Sequence, residues 1–134
     1  MAAANRFDGL SVMKVLGTMD KHRQHVKLQI DGLNHFLDLV RGQDTGSPQV
    51  AVAALIKAGL HDRIRVAMRA HAYDANIHVP AGGLIGTMAW EAEDPRDVQV
   101  LGATALTTVL PVLLGWTANV SVQGSLLFAL AGLT

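Results

Sequence analysis

From Val12 onward, positions spaced alternately by four and three residues read Val12, Leu16, Met19, Arg23, Val26, Ile30, Leu33, Leu37 and Val40, eight of the nine apolar. A strand has period two and a loop has none, so this spacing predicts one amphipathic helix over residues 8–42 with its apolar stripe on one side. Asp8 or Ser11 can cap its start, and Gly42 can end it. Such a rod is about 45–50 Å long, more than the width of a compact domain of this size, and needs a partner along its length. Gly9, Gly17 and Gly32 each cost about 1 kcal/mol against alanine in a helix interior, which the periodicity must outweigh. A rival pattern, Val26-Lys27-Leu28-Gln29-Ile30 before Asp31-Gly32, alternates like a strand entering a hairpin turn, but it accounts for far fewer residues.

Gly42 to Gly46 reads as a loop, and Ser47-Pro48 as a cap followed by proline at the first helical position. The second helix is expected over 47–71, with Ala53, Ile56, Leu60, Ile64 and Ala67 on one face. A connection this short makes the two helices antiparallel neighbours. Over 73–93, Ile77 and Val79 flank His78, Pro80-Ala81-Gly82-Gly83 reads as a turn, and Leu84, Met88 and Trp90 alternate around Gly86. A small β/loop insert is expected there. Asp94-Pro95-Arg96-Asp97 is a second helix start and opens an apolar C-terminal segment over 94–134. Helix is expected for about 95–110, while 117–131 stays open between helix and strand. The whole reads as a mainly α single domain, residues 1–134: a long antiparallel helical hairpin, the insert and the apolar segment.

Half of the residues are apolar and 16% are charged, which excludes a disordered chain. Eleven basic residues balance eleven acids, so total charge does not point to nucleic acid. The distribution is uneven: residues 1–73 hold ten of the basic residues against six acids, and residues 98–134 hold no charge. The absence of cysteine excludes disulfides, thiolate metal sites and a cysteine nucleophile. The first residues lack the pattern of a secretory signal, so a cytoplasmic or virion setting is expected, with a membrane as the alternative. Val98 to Trp116 is long enough to cross a bilayer core of about 30 Å and ends on a tryptophan, although Gln99, three threonines and two glycines dilute it.

Lys57, His61, Arg65 and Arg69 recur every four residues on the second helix. Lys57, Arg65 and Arg69 are candidate anion contacts, for phosphate of nucleic acid or anionic lipid. The bland alternative pairs them with acids such as Asp20, Asp31 and Asp38, and no aromatic lies among them to stack a base. His22 and His25, with Asp20, have a spacing that could ligate a metal, but Lys21, Arg23 and Lys27 crowd them with positive charge. His71 and His78 bracket another loop without further ligands. Arg23, the one charged seam position, either sets register or snorkels out along its stem. No nucleophile elbow, phosphate loop, zinc-protease or dinucleotide motif occurs, and Gly82-Gly83-Leu84-Ile85-Gly86 lacks the lysine of a phosphate loop. Neither metal nor cofactor is expected.

An uncharged tail that two amphipathic helices cover only in part leaves apolar surface for an interface. The expected interface residues are Val26, Ile30, Leu33 and Leu37 on the first helix and Val109, Leu113, Leu114, Trp116, Leu126 and Phe128 in the tail. The expected function is a non-enzymatic, self-assembling structural subunit of a multi-subunit particle such as a phage virion. Its partners are copies of itself and other subunits. The alternative is a small membrane-anchored or membrane-inserting helical protein using residues 98–134.

Overall fold

In the computed structural model, residues 5–42, 47–116 and 119–132 are described. They form α1 (Val12–Lys21), α2 (Val26–Arg41), α3 (Pro48–Lys57), α4 (Leu60–Ala70), α5 (Ala75–Glu91), α6 (Pro95–Gly115) and α7 (Val120–Ala131). The protein is mainly helical, and no strand occurs among the described residues. The expected loop residues 43–46, and 117–118 of the tail, lie outside them.

Three helix-to-helix corners are built alike. His22, His71 and Trp116 close α1, α4 and α6 with backbone angles φ/ψ of −124/45, −122/43 and −115/45°. Each of their carbonyls accepts from the amide three residues on: His25 at 3.0 Å, Asp74 at 3.0 Å and Asn119 at 3.4 Å. Those three residues are extended and cap the next helix, their side chains accepting from the amides of Leu28, Asn76 and Val122. Four positions past each cap a polar side chain reaches back. Gln29 Nε2 donates to the carbonyls of Met19 (3.0 Å) and His22 (2.9 Å). Gln123 Nε2 donates to those of Leu113 (3.0 Å) and Trp116 (2.6 Å). At the middle corner His78 Nε2 lies 2.8 Å from the Ala72 carbonyl. The last carbonyls of a helix lack their regular partners, and at the first and third corners these side chains add a second donor to carbonyls that a turn amide also reaches.

The first corner corrects the expected 8–42 rod. The helix stops at Lys21, just before the one charged seam position, and Arg23 stands exposed in the turn. The apolar seam resumes in α2, so its period survives across a break the period does not reveal. Val26 to Ile30, the rival strand, is helical. The expected 47–71 helix likewise divides at Gly59, whose φ of 90° is left-handed and favours glycine. The long two-helix hairpin is therefore four shorter helices.

The expected β/loop insert is α5, the most enclosed helix. Ile77, Ala81, Leu84, Ile85 and Met88 are buried at offsets of four, seven, eight and eleven residues from the first, which is helical spacing. Pro80 sits inside this helix and has no N–H to give the Asn76 carbonyl. The glycines read as a turn are contact points instead. A Cβ on Gly82 would lie 2.6 Å from Ser125 Oγ and 2.8 Å from the Ser125 carbonyl, and one on Gly86 would strike the ring of Phe128. One on Gly132 would meet the Gly86 carbonyl at 2.9 Å. The contacts rise together along both helices, so α7 runs parallel to α5 with backbones in close approach, as small residues four apart permit. Around α5 pack chiefly α7 and α2, with α3, α4 and α6 completing the enclosure.

α6 begins as expected, with Pro95 at its first turn and the Asp94 side chain accepting from the Arg96 amide. It is α-helical over Pro95–Thr104, widens to a π-helix over Ala105–Val109, and is α-helical again over Leu110–Gly115. Pro111 cannot donate to the carbonyl of Thr107, and Arg69 Nη2 of α4 approaches that carbonyl at 3.5 Å.

Candidate functional site

α6 carries no charge beyond Asp97, and α7 carries none at all. On α6, Leu101, Thr104, Ala105, Thr108 and Val109 face the core and are buried. On its far side Leu106, Leu110 and Leu114, one turn apart, are 67%, 36% and 70% exposed. Thr107 and Pro111 lie exposed between them, and Ala103 is exposed just before the row. Only 28% of the most apolar stretch of this 21-residue helix is buried. α7 adds Val120, Leu127 and Phe128, exposed by 85%, 53% and 38%, while Val122, Leu126 and Ala129 face inward. A helix of a globular protein normally turns a polar face to water, and α6 turns leucines there instead.

An open groove of about 820 Å³ lies between α2, α5 and α7 and is lined in part by Phe128. Ile30, Leu37, Val79, Pro80 and Phe128 give it apolar walls, and at Gly83 and Gly124 its floor is bare backbone. Lys27 and Arg41, from the two ends of α2, are the charged lining residues among the described ones. Lys27 pairs with Asp31 at 2.8 Å, and Asp31 also takes Arg6 Nε at 2.6 Å. Burial works against the charge of Asp31, but hydrogen bonds from Lys27 and Arg6 outweigh it and hold the carboxyl below its ordinary value.

The ten expected interface residues divide among these surfaces. Ile30, Leu37 and Phe128 line the groove, Leu37 while buried in the core at 9% exposure, and Leu114 stands on the exposed stripe. Val26 and Leu113 are half-buried. Leu33, Val109 and Leu126 are fully buried within the chain, so they hold its own core. Trp116 is half-buried: its Nε1 donates to the Ala72 carbonyl at 3.1 Å and its ring meets His78 edge-on. Leu106, Leu110, Val120 and Leu127 were not singled out from sequence. The repeat of leucine at 106, 110 and 114 in an uncharged helix was the available signal.

The basic stripe is not one cluster. Lys57 belongs to α3, on the other side of the Gly59 bend. Arg65 pairs with Asp62 of its own helix at 2.5 Å, and that bond holds the Asp62 carboxyl below its usual range. Arg69 reaches the Thr107 carbonyl. Arg63, outside the stripe, grips Asp20 of α1 with Nε and Nη2 at 3.1 and 2.8 Å. His25 spends Nδ1 on its cap, accepting from the Leu28 amide at 3.1 Å, which removes one nitrogen from any metal role beside His22. Among the described residues no group of three or more His, Asp or Glu side chains is placed to hold a metal ion.

Two buried imidazole nitrogens, Nδ1 of His78 and of His61, find no partner among the described residues. Burial lowers both pKa values, for His78 against the pull of the Ala72 carbonyl and Asp74, and for His61 against Asp62. No family model matches the chain, and no curated protein and no solved structure matches it either.

Proposed function

We propose that the protein is a non-enzymatic structural subunit that assembles with copies of itself into a larger particle of the phage-virion kind, through the uncharged face of α6 and α7. The observation that carries this reading is the row Leu106, Leu110 and Leu114, which faces away from the core that α6 joins through Leu101, Ala105 and Val109. Covering such a row removes apolar area from water at about 25 cal/mol per Å², and a contiguous apolar patch of this kind marks an interface.

The competing reading, a membrane span, draws on the length of α6, whose 21 residues suffice to cross a bilayer. One contact opposes it. Arg69 approaches the Thr107 carbonyl near the middle of α6, so a spanning α6 in this fold would carry an arginine of α4 to the depth of the hydrocarbon. Light scattering on detergent-free protein at about 50 µM tests the proposal: multimers are expected, and a stable monomer overturns it. Flotation with phosphatidylcholine vesicles tests the competitor, which gains only if the protein rises with them.

A further inference from the structure

We propose that the assembly contact is head-to-tail, with the α6 leucine row of one copy seated in the α2/α5/α7 groove of the next. This rests on the structural-subunit reading and adds the identity of both halves of the contact.

The fit is one of length, relief and charge. Lys27 and Arg41 stand fourteen residues apart on α2, which at 1.5 Å per residue sets them about 21 Å apart. Ala103 to Leu114 spans about 17 Å and is uncharged, so it lies between the two cations without burying either. Gly83 and Gly124 bring the groove close to backbone level, and an added Cβ at Gly124 would meet nothing within 4 Å. A helix can therefore approach closely and set its leucines against Ile30, Leu37 and Phe128.

Charge chooses the direction. Glu91, Glu93, Asp94 and Asp97 precede or open α6 against the single cation Arg96, which Asp94 already holds at 3.1 Å. Arg41 makes no ion pair among the described residues. Laying the acidic start of α6 at Arg41 brings its carbonyl end towards Lys27, so the helix macrodipole and both cations agree. The occupant is thus a second copy running antiparallel to α2. The proposed contact joins the row of one copy to the groove of the next without reciprocity, which is heterologous, so it repeats until it closes a ring or continues as a filament.

The test uses two full-length variants. Leu110→Lys with Leu114→Lys disables the row, and Gly124→Trp fills the groove at a position with open space; circular dichroism checks that both remain helical. Each alone is expected to stay monomeric, and an equimolar mixture to give a species of twice the 14.2 kDa chain mass, because one variant keeps its groove and the other its row. A groove variant that assembles as the wild type does, or a mixture that stays monomeric, overturns the head-to-tail contact while leaving self-assembly standing. A monomeric wild type overturns the structural-subunit reading itself. Should the leucine variant misfold, Arg41→Glu supplies the second route. It is expected to weaken assembly at least tenfold at low salt, and Glu93→Arg in the same chain to restore it; no weakening overturns the proposed orientation.

Discussion

Trp116 and His78 meet edge to face with ring centres 5.9 Å apart, and both side chains address the Ala72 carbonyl. The end of α6 is thereby fastened to the corner between α4 and α5. A carbonyl acceptor fixes the tautomer: Nε2 carries the proton, and the buried Nδ1 is left as an acceptor.

That arrangement makes stability depend on pH. Burial lowers the pKa of His78 and of His61 below the 6.5 of the unfolded chain, so unfolding takes up protons in acid. The contribution is present above pH about 6.5 and is lost as pH falls through the lowered folded values. Urea midpoints should therefore fall between pH 7 and 5. His78→Gln, which installs the residue used at the other two corners, should flatten part of that slope; an unchanged slope would assign it elsewhere.

Gln29 is 3% exposed and holds two helix-end carbonyls. Gln29→Leu keeps much of the volume and removes one donor from each carbonyl, while the His22 and His25 amides still reach them at 3.3 and 3.0 Å. The expected loss is about 1–3 kcal/mol, from two hydrogen bonds each worth about 0.5–1.5 kcal/mol net. Chemical denaturation monitored by circular dichroism measures it. A loss below about 0.5 kcal/mol would mean that water replaces the amide.

Two glycine substitutions should move stability in opposite directions. Gly17 lies in α1 with nothing within 4 Å of an added Cβ, so Gly17→Ala should stabilise by about 0.5–1 kcal/mol through helix propensity. At Gly82 the same Cβ presses on the Ser125 backbone, and overpacking of about 1–3 kcal/mol should outweigh the propensity gain. Thermal melts of the two variants give the comparison, and a stabilised Gly82→Ala would contradict the close α5–α7 approach.

The Arg63–Asp20 pair joins α4 to α1 through two nitrogens, yet both side chains are partly exposed, at 26% and 36%. A double-mutant cycle with Arg63→Ala and Asp20→Ala should return no more than about 1 kcal/mol. A coupling well above that would show that the pair is more shielded than its exposure suggests.

Period and caps carried most of what the sequence disclosed. The apolar seam from Val12 to Val40, the Ser47-Pro48 start and the Asp94-Pro95 start all lie on helices or their caps. The seam hid its own interruption, because a corner that conserves the facing direction of the next helix preserves the period on both sides. The helix within the 73–93 segment is hidden from the sequence for a different reason. Glycine and proline usually punctuate structure, but at Gly82 and Gly86 the missing side chains make room for α7, a contact that adjacent residues do not encode. As for the candidate surface, its location in the uncharged tail was legible, and its partition into inward and outward leucines was not. That partition depends on how α6 rolls against α4 and α5.

The reach-back side chains also bear on how the chain finds its shape. Gln29 and Gln123 bind carbonyls only seven and ten residues behind them, and His78 binds one six behind, so these stitches ask for little loop-closure entropy. Bends secured so locally need no finished interior to hold them, and the order of events should be hinges first, with the α5–α7 seam, forty-odd residues apart in sequence, zipped last.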